Sequence, residues 1–433
     1  MYQSSFIELL KESLGEDAAS CVLAHLDDEP TVSVRLNPFK TDAEHLAAHF
    51  GASGVSSVEW EPAGLRLQSR PSFTFDTFFH AGHYYVQEAS SMYVGKLFDR
   101  TGLTEPRVLD LCAAPGGKST HILSKMGGRG VLVANEVIRT RATILAENIS
   151  KWGCANCIVT NDDPADFKSL ESYFDLVVVD APCSGEGMFR KDEKAVQEWS
   201  PDNVKLCAAR QRRILTDIWG SLKAGGYIIY STCTFNHFED EDNARWICEE
   251  LGAELICEKH FLPGIDIGVG FYCALLKKSE NDDGRQRIPR QKLQALKSPA
   301  AEALLTDGFT LKMKGDLIKA YPREYAEEMA GIEAILKSIR SGVAVATVKG
   351  RDLIPEADLA LSPILKDGAF PEVRLDYDTA IKYLSREPIA LPDAPKGHIL
   401  VKYQDSRLGF VKNIGNRCNN LYPASRRILT GQK

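Results

Sequence analysis

The stretch VLDLCAAPGGKS, residues 108–119, constrains the fold of this chain more than any other segment. Its apolar start predicts a buried strand, and the small residues and glycines that follow predict a tight turn into a helix. Gly116 and Gly117 remove side chains where the backbone would approach a ligand. The N–H groups that open the helix near Lys118 would face that ligand, and Asp110 at the strand end could reach one of its polar groups.

Three kinds of ligand site could use such a turn. A phosphate-binding P-loop requires a glycine at the position of Cys112, so this alternative fails. The dinucleotide fingerprint G-x-G-x-x-G is also absent. A site for S-adenosylmethionine (SAM) at the first strand–helix turn of a doubly wound sheet remains, beside the plain alternative of a glycine-containing turn without a ligand.

Strands and helices alternate after this point, which predicts an open, doubly wound parallel sheet. The predicted strands are 107–111, 131–134, 157–160, 174–179 and 227–231, and the predicted helices are 118–126, 138–152, 204–222 and 239–251. Two closing strands, near 254–256 and 270–276, have no clear helix between them and predict an antiparallel edge. The segment 83–96, which precedes the first strand, is predicted as a loop that enters a helix.

Polar residues follow the strands at the edge where such sheets bind ligands. They are Asp110, Glu136, Asp163, Asp180, Cys183 and Cys233. Glu136 comes about 20 residues after Gly116, where a Rossmann-type fold places an acid on ribose hydroxyls. Each acid alone could be a helix cap or a turn former, but the joint pattern favours a binding site.

The two thiols among these residues indicate methylation of a carbon atom. A thiolate that adds to carbon 6 of a pyrimidine creates an enamine, whose carbon 5 can attack a sulfonium methyl group. Because a free thiol has a pKa of about 8.5, the site has to lower that pKa with positive charge or N–H donors. A second thiol could assist release of the product. Amino-group methyltransferases often carry an aromatic residue where Cys183 stands, so that chemistry is disfavoured.

Three segments carry a resemblance to a known family. They are CAAPGGK at 112–118, DAPCSGEGMFRKD at 180–192 and YSTCTFN at 230–236. Together they resemble the Nop/Sun family of RNA cytosine-5 methyltransferases, and most of all its RsmF-like bacterial branch, which acts on 16S ribosomal RNA. The resemblance covers about 80–280. It extends to SVRLNP at 33–38 and, more weakly, to LGFVKNIGNRCNNLYP at 408–423, which is similar to the family's PUA-like tail.

The resemblance implies a role for each matching residue. It implies Cys233 as the nucleophile, although a Pro-Cys pair is the nucleophile motif of DNA cytosine-5 enzymes and would point to Cys183. Cys183 would instead aid product release, Asp180 would contact the flipped cytosine near ring nitrogen 3, and Lys118 would lie between cofactor and base. The implied SAM-binding residues are Cys112, Ala113, Ala114, Pro115, Gly116, Gly117, Lys118, Glu136, Asp163 and Asp180. Asp162 is an alternative to Asp163, because the NDDP segment matches more loosely.

The 433 residues are enough for several domains. We predict an N-terminal RNA-binding αβ module at 1–80, a SAM-dependent methyltransferase domain at 81–280, a linker at 281–300, an α+β module at 301–390 and a PUA-like RNA-binding tail at 391–433. In the α+β module, strand-like patterns cover 311–318 and 343–353, and a helix is predicted at 325–340. The phenylalanines Phe73, Phe75, Phe78 and Phe79 are predicted to form core rather than a stacking surface.

Local charge indicates where RNA would bind, although the net charge of the chain is −7. The last residues carry Lys396, Lys402, Arg407, Lys412, Arg417, Arg426, Arg427 and Lys433 against Asp405 alone, a local charge of +7. The aromatic residues Tyr403, Phe410 and Tyr422 lie among these charges and favour RNA contact. A basic loop with Arg190 and Lys191 is a second candidate contact.

Other classes of protein are disfavoured. No apolar run approaches the roughly 18 residues of a membrane span, and the N-terminus lacks a signal-peptide core. Eleven scattered cysteines suit reduced thiols in the cytoplasm. Cys154 and Cys157 form a lone C-x-x-C without a second pair or nearby histidines, so no metal is predicted.

The sequence therefore predicts a cytoplasmic enzyme that uses SAM to methylate carbon 5 of cytosine in RNA. The expected substrate is 16S rRNA or the 30S subunit, with transfer RNA as an alternative. A second alternative is an RNA-binding ribosome assembly factor whose methyl transfer is dispensable. Structured RNA is recognised largely by shape and by single-stranded bases, so the modified nucleotide cannot be derived from the sequence.

Overall fold

A computed structural model describes residues 2–280 and 288–429. Part of the predicted linker, including Gly284 and Arg285, lies outside these residues. Within them, no helix is long and apolar enough to cross a membrane.

The helices and strands follow one another along the chain in three parts. The N-terminal part contains α1 (Ser4–Leu14), α2 (Glu16–His25), β1 (Val32–Leu36), α3 (Ala43–His49), β2 (Val55–Val58), β3 (Glu61–Leu67), α4 (Thr77–Ala81) and β4 (Tyr84–Val86). The central part contains α5 (Tyr93–Thr101), β5 (Arg107–Asp110), α6 (Gly117–Met126), β6 (Val131–Asn135), α7 (Arg139–Trp152), β7 (Cys157–Thr160), β8 (Phe174–Asp180), α8 (Glu193–Glu198), α9 (Pro201–Trp219), β9 (Leu222–Thr232), α10 (Glu241–Leu251), β10 (Ala253–Phe261) and β11 (Phe271–Lys278). The C-terminal part contains α11 (Pro299–Glu302), β12 (Phe309–Lys314), β13 (Leu317–Pro322), α12 (Ala326–Ile335), β14 (Ser338–Ser341), β15 (Val343–Lys349), β16 (Asp352–Pro355), α13 (Ala357–Leu361), β17 (Glu372–Leu375), α14 (Tyr377–Leu384), β18 (Gly397–Tyr403), β19 (Ser406–Asn413) and β20 (Cys418–Asn420).

The N-terminal strands form a four-stranded antiparallel sheet in the order β2-β3-β1-β4. Strand β4 lies in the segment 83–96, where the sequence predicted a loop, so that prediction is wrong for Tyr84–Val86. The three-residue strand pairs with β1, with Arg35 opposite Tyr85. A strand this short has little pattern of its own, and its hydrogen bonds come from a partner about 50 residues away in the chain.

The eight-stranded central sheet has the order β10-β11-β9-β8-β5-β6-β7-β14. Strands β9, β8, β5, β6 and β7 are parallel, whereas β11 is antiparallel to both β9 and β10. The predicted doubly wound sheet with an antiparallel edge is therefore confirmed. The other edge was not predicted, because Ser338–Ser341 pairs antiparallel with β7 instead of continuing the helix predicted at 325–340.

Helices cover both faces of this sheet, and the strand residues alternate between them. Val108 and Leu132 pack on one face with residues of α5, α6 and α7. Leu109 and Val133 pack on the other with residues of α9, α10 and α12. This period of two is why buried parallel strands read as continuous apolar runs in the sequence.

Two smaller sheets lie in the C-terminal part. The segments 311–318 and 343–353 are each divided by a turn, at Gly315 and Gly350, and form the antiparallel sheet β12-β13-β15-β16. Strand β17 pairs parallel with β18 in the sheet β17-β18-β19-β20. The sheet of the tail therefore begins at Glu372, before the predicted boundary at 391.

The tail offers less RNA-binding surface than the sequence predicted. Phe410 and Tyr422 are buried at 1% exposure, so they are core residues and not stacking surfaces. Four of the predicted cations pair with acids of earlier segments: Arg407 with Asp367, Lys402 with Glu372, Lys412 with Asp352 and Arg426 with Asp358. Exposed cations remain at Lys396, Arg417 and Arg427, and Lys433 lies outside the described residues.

Candidate active site

The glycines of the 112–118 turn serve close packing within the protein. Gly116 adopts a φ of +115°, in the left-handed region that glycine favours, and a Cβ there would lie 3.2 Å from Leu145 of α7. A Cβ at Gly117 would lie 3.3 Å from the Tyr85 ring of β4. These glycines therefore also make room for neighbouring elements, and their contact with a ligand stays a prediction.

A cavity of about 500 Å³ opens at the carboxyl edge of the parallel strands. The predicted site residues that line it are Cys112, Ala114, Glu136, Asp163, Asp180, Cys183 and Cys233. Residues that were not predicted complete its wall, among them Val137, Ile138, Met188, Arg210 and Arg213. The other predicted residues of the 112–118 segment do not line the cavity and belong to the turn behind its wall: Ala113, Pro115, Gly116, Gly117 and Lys118. The strand topology thus brings residues that follow or end the five strands β5 to β9 around one space.

Glu136 is held at the cavity by the turn and by α7. Its side chain is buried, accepts a hydrogen bond from the Ile138 N–H at 2.9 Å and pairs with Arg141 at 3.3 Å. Arg141 also donates to the Ala114 carbonyl at 2.9 Å. The same arginine therefore connects the acid to the turn, and the carboxylate can accept hydrogen bonds from ligand hydroxyls.

The two candidate acids after β7 have different surroundings. Asp163 lines the cavity and caps the following turn by accepting from the Ala165 N–H at 3.1 Å. Asp162 is buried and accepts from the Lys337 N–H through both oxygens, at 3.1 and 3.0 Å. Asp162 thus anchors the segment before β14, which leaves Asp163 as the better candidate for a ligand.

Asp110 lies fully buried at the end of β5. Burial raises the pKa of its carboxyl to about 7. Ser119 donates to one oxygen at 2.6 Å, while the other has no partner among the described residues. The cavity has an acid that can bind ribose hydroxyls and apolar side chains that can contact an aromatic base, and the unpartnered oxygen of Asp110 lies beside it. These features fit a nucleoside ligand such as SAM. Glu136, Asp163 and the wall at Val137 and Ile138 are the residues that would hold it.

The two predicted thiols meet at the mouth of this cavity. The Sγ atoms of Cys183 and Cys233 lie 3.2 Å apart, although the residues follow different strands. The hydrogen bond to Cys233, together with burial, raises the pKa of Cys183 well above its usual range. Cys183 therefore stays protonated and can donate its proton to the Cys233 sulfur.

Two buried glutamates hold the loops that carry these thiols. Glu239 accepts from the Ser184 N–H at 3.0 Å, next to Cys183. Glu186 accepts from the Phe235 N–H at 2.7 Å, close to Cys233. Asn236 donates to both carboxylates at 3.0 Å. Burial raises the pKa of each glutamate to about 7. The sequence analysis missed all three residues, although they stand within the quoted motifs or just beyond them.

Asp240 holds the nucleophile segment from the other side. The threonines on either side of Cys233, Thr232 and Thr234, both donate their hydroxyls to Asp240 Oδ1. His260 of β10 contacts the other oxygen at 2.9 Å. A single fully buried carboxylate therefore orients both neighbours of the thiol.

Lys118 and Asp180 form an ion pair of 2.8 Å beside the thiols. Ser231 donates to the other Asp180 oxygen at 2.9 Å, and the Lys118 ammonium lies 5.0 Å from the centre of the Phe271 ring. Asp180 keeps about a third of its side chain exposed. It can therefore still contact a ligand while its charge is balanced.

Other predicted residues have structural roles. Arg190 donates to the backbone carbonyls of Asp28, Glu29 and Gly268 and so anchors its loop, while its RNA contact stays a prediction. Cys154 and Cys157 lie in the hydrophobic core.

Comparison with known proteins identifies the family. The chain matches the model of 16S rRNA methyltransferase RsmB/F over residues 102–285, the N-terminal domain of 16S rRNA methyltransferase RsmF over 3–89, and the methyltransferase RsmF PUA domain over 370–428. It is 31% identical to ribosomal RNA small subunit methyltransferase F of Pectobacterium carotovorum, over 90% of this chain and 88% of that protein. The chain belongs to the RsmB/F family of rRNA methyltransferases. A relative of the same name from Escherichia coli O157:H7 is 30% identical over 90% of this chain and 89% of its own length.

Solved structures agree with this family assignment. A methyltransferase homologue from Pyrococcus horikoshii is 26% identical, with a TM-score of 0.57 over 64% of this chain and 95% of its own. NSun6 from the same organism is 19% identical, with a TM-score of 0.57 over 65% of this chain and 99% of its own, and shares the fold. The predicted family, the predicted class of SAM-dependent RNA methyltransferase and the predicted cofactor are confirmed.

Proposed function

We propose that this RsmB/F-family protein methylates carbon 5 of cytosine in 16S rRNA, through a covalent bond between Cys233 and the base. The observation that carries this proposal is the pair of thiols 3.2 Å apart at the mouth of the cavity. Methylation of an amino group requires no thiol, whereas carbon 5 of cytosine becomes nucleophilic only after a nucleophile adds to carbon 6.

Cys233 is the better nucleophile of the pair. Its neighbours Thr232 and Thr234 are fixed by Asp240, so the segment that presents the thiol is rigid. A protonated Cys183 that donates to the Cys233 sulfur stabilises negative charge there. Once a water molecule has taken the proton from carbon 5, the same hydrogen bond favours departure of the Cys233 thiolate, which is the proposed part of Cys183 in product release.

Asp180 and Lys118 are placed to act on the cytosine ring. When Cys233 attacks carbon 6, negative charge develops at ring nitrogen 3, and a proton held there neutralises it. Lys118 and Asp180, paired at 2.8 Å, share a proton that can pass to nitrogen 3 when the base is in contact with Asp180. SAM supplies the methyl group when it is bound in the cavity, with Glu136 and Asp163 as the proposed contacts of its polar groups.

The target base has to leave its stack to reach a thiol at the mouth of a cavity. The family match in the N-terminal and PUA regions supports RNA binding on both sides of the catalytic part. The relatives named small subunit methyltransferases support 16S rRNA, free or within the 30S subunit, as the substrate. This substrate implies that the protein works in the cytoplasm.

Trapping the covalent intermediate tests the chemistry. Cys183→Ala protein, incubated with SAM and 16S rRNA, is expected to give a slowly migrating protein–RNA adduct on a denaturing gel, and Cys233→Ala is expected to give none. Cys248→Ala, which changes a half-buried thiol of α10, serves as the control and should methylate like the wild type without accumulating adduct. An adduct with Cys233→Ala alone would exchange the two roles.

The substrate is tested with labelled methyl groups. Incorporation from SAM into 16S rRNA, 30S subunits and transfer RNA is compared, and digested nucleosides are analysed for 5-methylcytidine. Label in transfer RNA alone would contradict the proposed substrate, and a methylated nucleoside other than 5-methylcytidine would contradict the proposed reaction. Normal ribosome maturation with Cys233→Ala protein would instead favour a role as an assembly factor.

A further inference from the structure

A second pocket lies between the N-terminal sheet and the end of α7, behind the turn at 112–118, which we call the cofactor turn. It has a volume of about 310 Å³, within the range of small-molecule sites. Its wall includes Phe73, Phe79, Tyr84, Tyr85, Lys151 and Trp152, and we call it the aromatic pocket. The residues that line it are different from those that line the cofactor cavity.

The chemistry of the aromatic pocket suits a nucleotide. Five of its residues are aromatic, and two are cations. The Lys151 ammonium lies 4.3 Å from the centre of the Phe79 ring, and the exposed Arg70 guanidinium lies 5.4 Å from that of Phe73. Aromatic faces stack with unpaired bases, and neighbouring cations attract the phosphates of the same strand.

Trp152 provides an independent indication of a ligand. Its side chain is 1% exposed, and its indole N–H has no hydrogen-bond partner among the described residues. A buried donor without an acceptor costs about 1–3 kcal/mol, and a small movement of the pocket wall on binding would let an acceptor of the ligand offset it. Every nucleobase carries carbonyl or ring-nitrogen acceptors.

The aromatic pocket also contacts the turn that precedes the active site. Asn148, part of its wall, donates to the Pro115 carbonyl at 2.8 Å. Tyr85 lies against Gly117, where an added Cβ would be 3.3 Å from its ring. The turn therefore separates two spaces, with the cofactor cavity on one side and the aromatic pocket on the other.

We propose that the aromatic pocket binds one unstacked nucleotide of the RNA substrate, distinct from the cytosine that is methylated. This inference rests on the proposed function, since it takes RNA as the substrate. Stacking on Phe79 and Tyr85 holds the base, and Arg70 and Lys151 balance the adjacent phosphates. The pocket thus adds affinity for single-stranded RNA at a second point, which positions the target without contacting it.

Two variants test the pocket through RNA affinity. The full chain, without SAM, is titrated into a fluorescein-labelled fragment of 16S rRNA, and binding is followed by fluorescence anisotropy. Phe79→Leu and Arg70→Glu are each expected to raise the Kd for RNA about tenfold, in the range for one lost stacked base or a reversed phosphate contact. The Kd for SAM should stay within about twofold of the wild type, which shows that both variants are folded.

Each variant has a matched control. Phe75→Leu changes a half-buried phenylalanine of the same segment that is not part of the pocket wall. Arg245→Glu reverses an exposed charge of α10, which packs on the opposite face of the central sheet from α7. Both controls should bind RNA within about twofold of the wild type. Crosslinking with 4-thiouridine in the RNA is expected to label peptides that contain Phe79, Tyr85 or Trp152.

The outcomes separate this inference from the proposed function. The proposal that the aromatic pocket binds a nucleotide is contradicted if both variants bind RNA with wild-type affinity, or if the crosslinks are confined to other peptides. Either result would contradict it even if methylation proceeds as proposed. Binding of free nucleoside monophosphates that RNA does not displace would also overturn it, since the occupant would then be a small molecule. Weakened RNA binding in both variants supports the pocket even when the covalent adduct is absent and the proposed reaction fails.

Discussion

Arg35 of β1 donates a hydrogen bond to the Thr120 hydroxyl of α6 at 2.7 Å. The arginine is fully buried and also donates to Gln87 at 2.7 Å and to the Gly117 carbonyl at 3.3 Å. Its guanidinium lies 4.7 Å from the centre of the Trp152 ring. One side chain of the N-terminal sheet therefore fixes helix α6, which follows the turn at 112–118.

Replacement of Arg35 by alanine is expected to lower both stability and SAM affinity. The change leaves a void and removes the donor of four acceptors, on Gln87, Thr120, Ser124 and Gly117, which together cost about 3 kcal/mol of unfolding free energy. Urea unfolding measures this loss, and calorimetric titration with SAM should show a raised Kd because the turn is no longer held. Arg66→Ala, on the partly exposed face of β3, should change neither quantity by much. Equal SAM affinity in Arg35→Ala protein would contradict the link between sheet and turn.

Asp240→Ala is expected to lower kcat for RNA methylation more than tenfold while KM for RNA changes little. The reason is that Thr232 and Thr234 lose their common acceptor, so the Cys233 segment loses its orientation. Steady-state kinetics with 16S rRNA measures both constants. Asp242→Ala is the control, since Asp242 lies in the first turn of the helix that Asp240 precedes and pairs with Arg245 and His237 instead of the threonines. A rise in KM alone would indicate that Asp240 contributes to RNA binding instead.

The two acids after β7 should respond differently to alanine. Asp163→Ala is expected to raise the Kd for SAM about tenfold, because a charged acceptor is lost from the cavity. Asp162→Ala should lower stability by about 1–2 kcal/mol, since the Lys337 N–H loses its acceptor, while the Kd for SAM changes less. Calorimetric titration and urea unfolding of both variants separate the two effects. The reverse pattern would make Asp162 the SAM contact.

Asp110 makes stability depend on pH. Its pKa is about 7 in the folded protein against an ordinary value of 3.8, so the folded state holds a proton that the unfolded state has released between these values. This contribution to stability is therefore lost as pH rises from about 4 to 7, and amounts to about 4 kcal/mol. Asp110→Asn should show a smaller decline in unfolding free energy between pH 5 and 8, measured with urea in the absence of SAM. The exposed acid of α5, changed as Asp99→Asn, should keep the wild-type slope. An unchanged slope for Asp110→Asn would mean that its carboxyl is ionised throughout this range.

Much of the central sheet was predictable because its strands carry their own signal. Cys157–Thr160 was predicted to the residue and three other parallel strands within one residue, since buried strands are apolar runs bounded by turn residues. The fifth, predicted at 227–231, begins five residues earlier, at Leu222. Strands β4 and β14 were not predicted. Both are short, and both form because a distant strand, β1 or β7, has an open edge with unpaired backbone groups.

The glycine turn and the charged tail show how surroundings decide a role. Gly116 was interpreted as space for a ligand, and the structure adds a second reason for glycine, since a Cβ there would lie 3.2 Å from Leu145. Tyr422 was interpreted as a surface for RNA, but it packs against Tyr383 in the core of the tail. Arg190 was interpreted as an RNA contact, and the structure shows that it also donates hydrogen bonds to three carbonyl groups. Composition and spacing do not say which neighbour a side chain meets.

By itself, the sequence determined the family, the sheet and the set of residues at the strand ends, because apolar periodicity and the motifs around Cys183 and Cys233 are local properties of the chain. Only the tertiary structure decided that the two thiols lie 3.2 Å apart and that Asp240, Glu186 and Glu239 hold their loops. It also decided that Arg35 bonds to the cofactor turn. Contacts between residues far apart in sequence depend on how the strands and helices pack against one another. The distances between such residues are therefore set only when the sheet has formed.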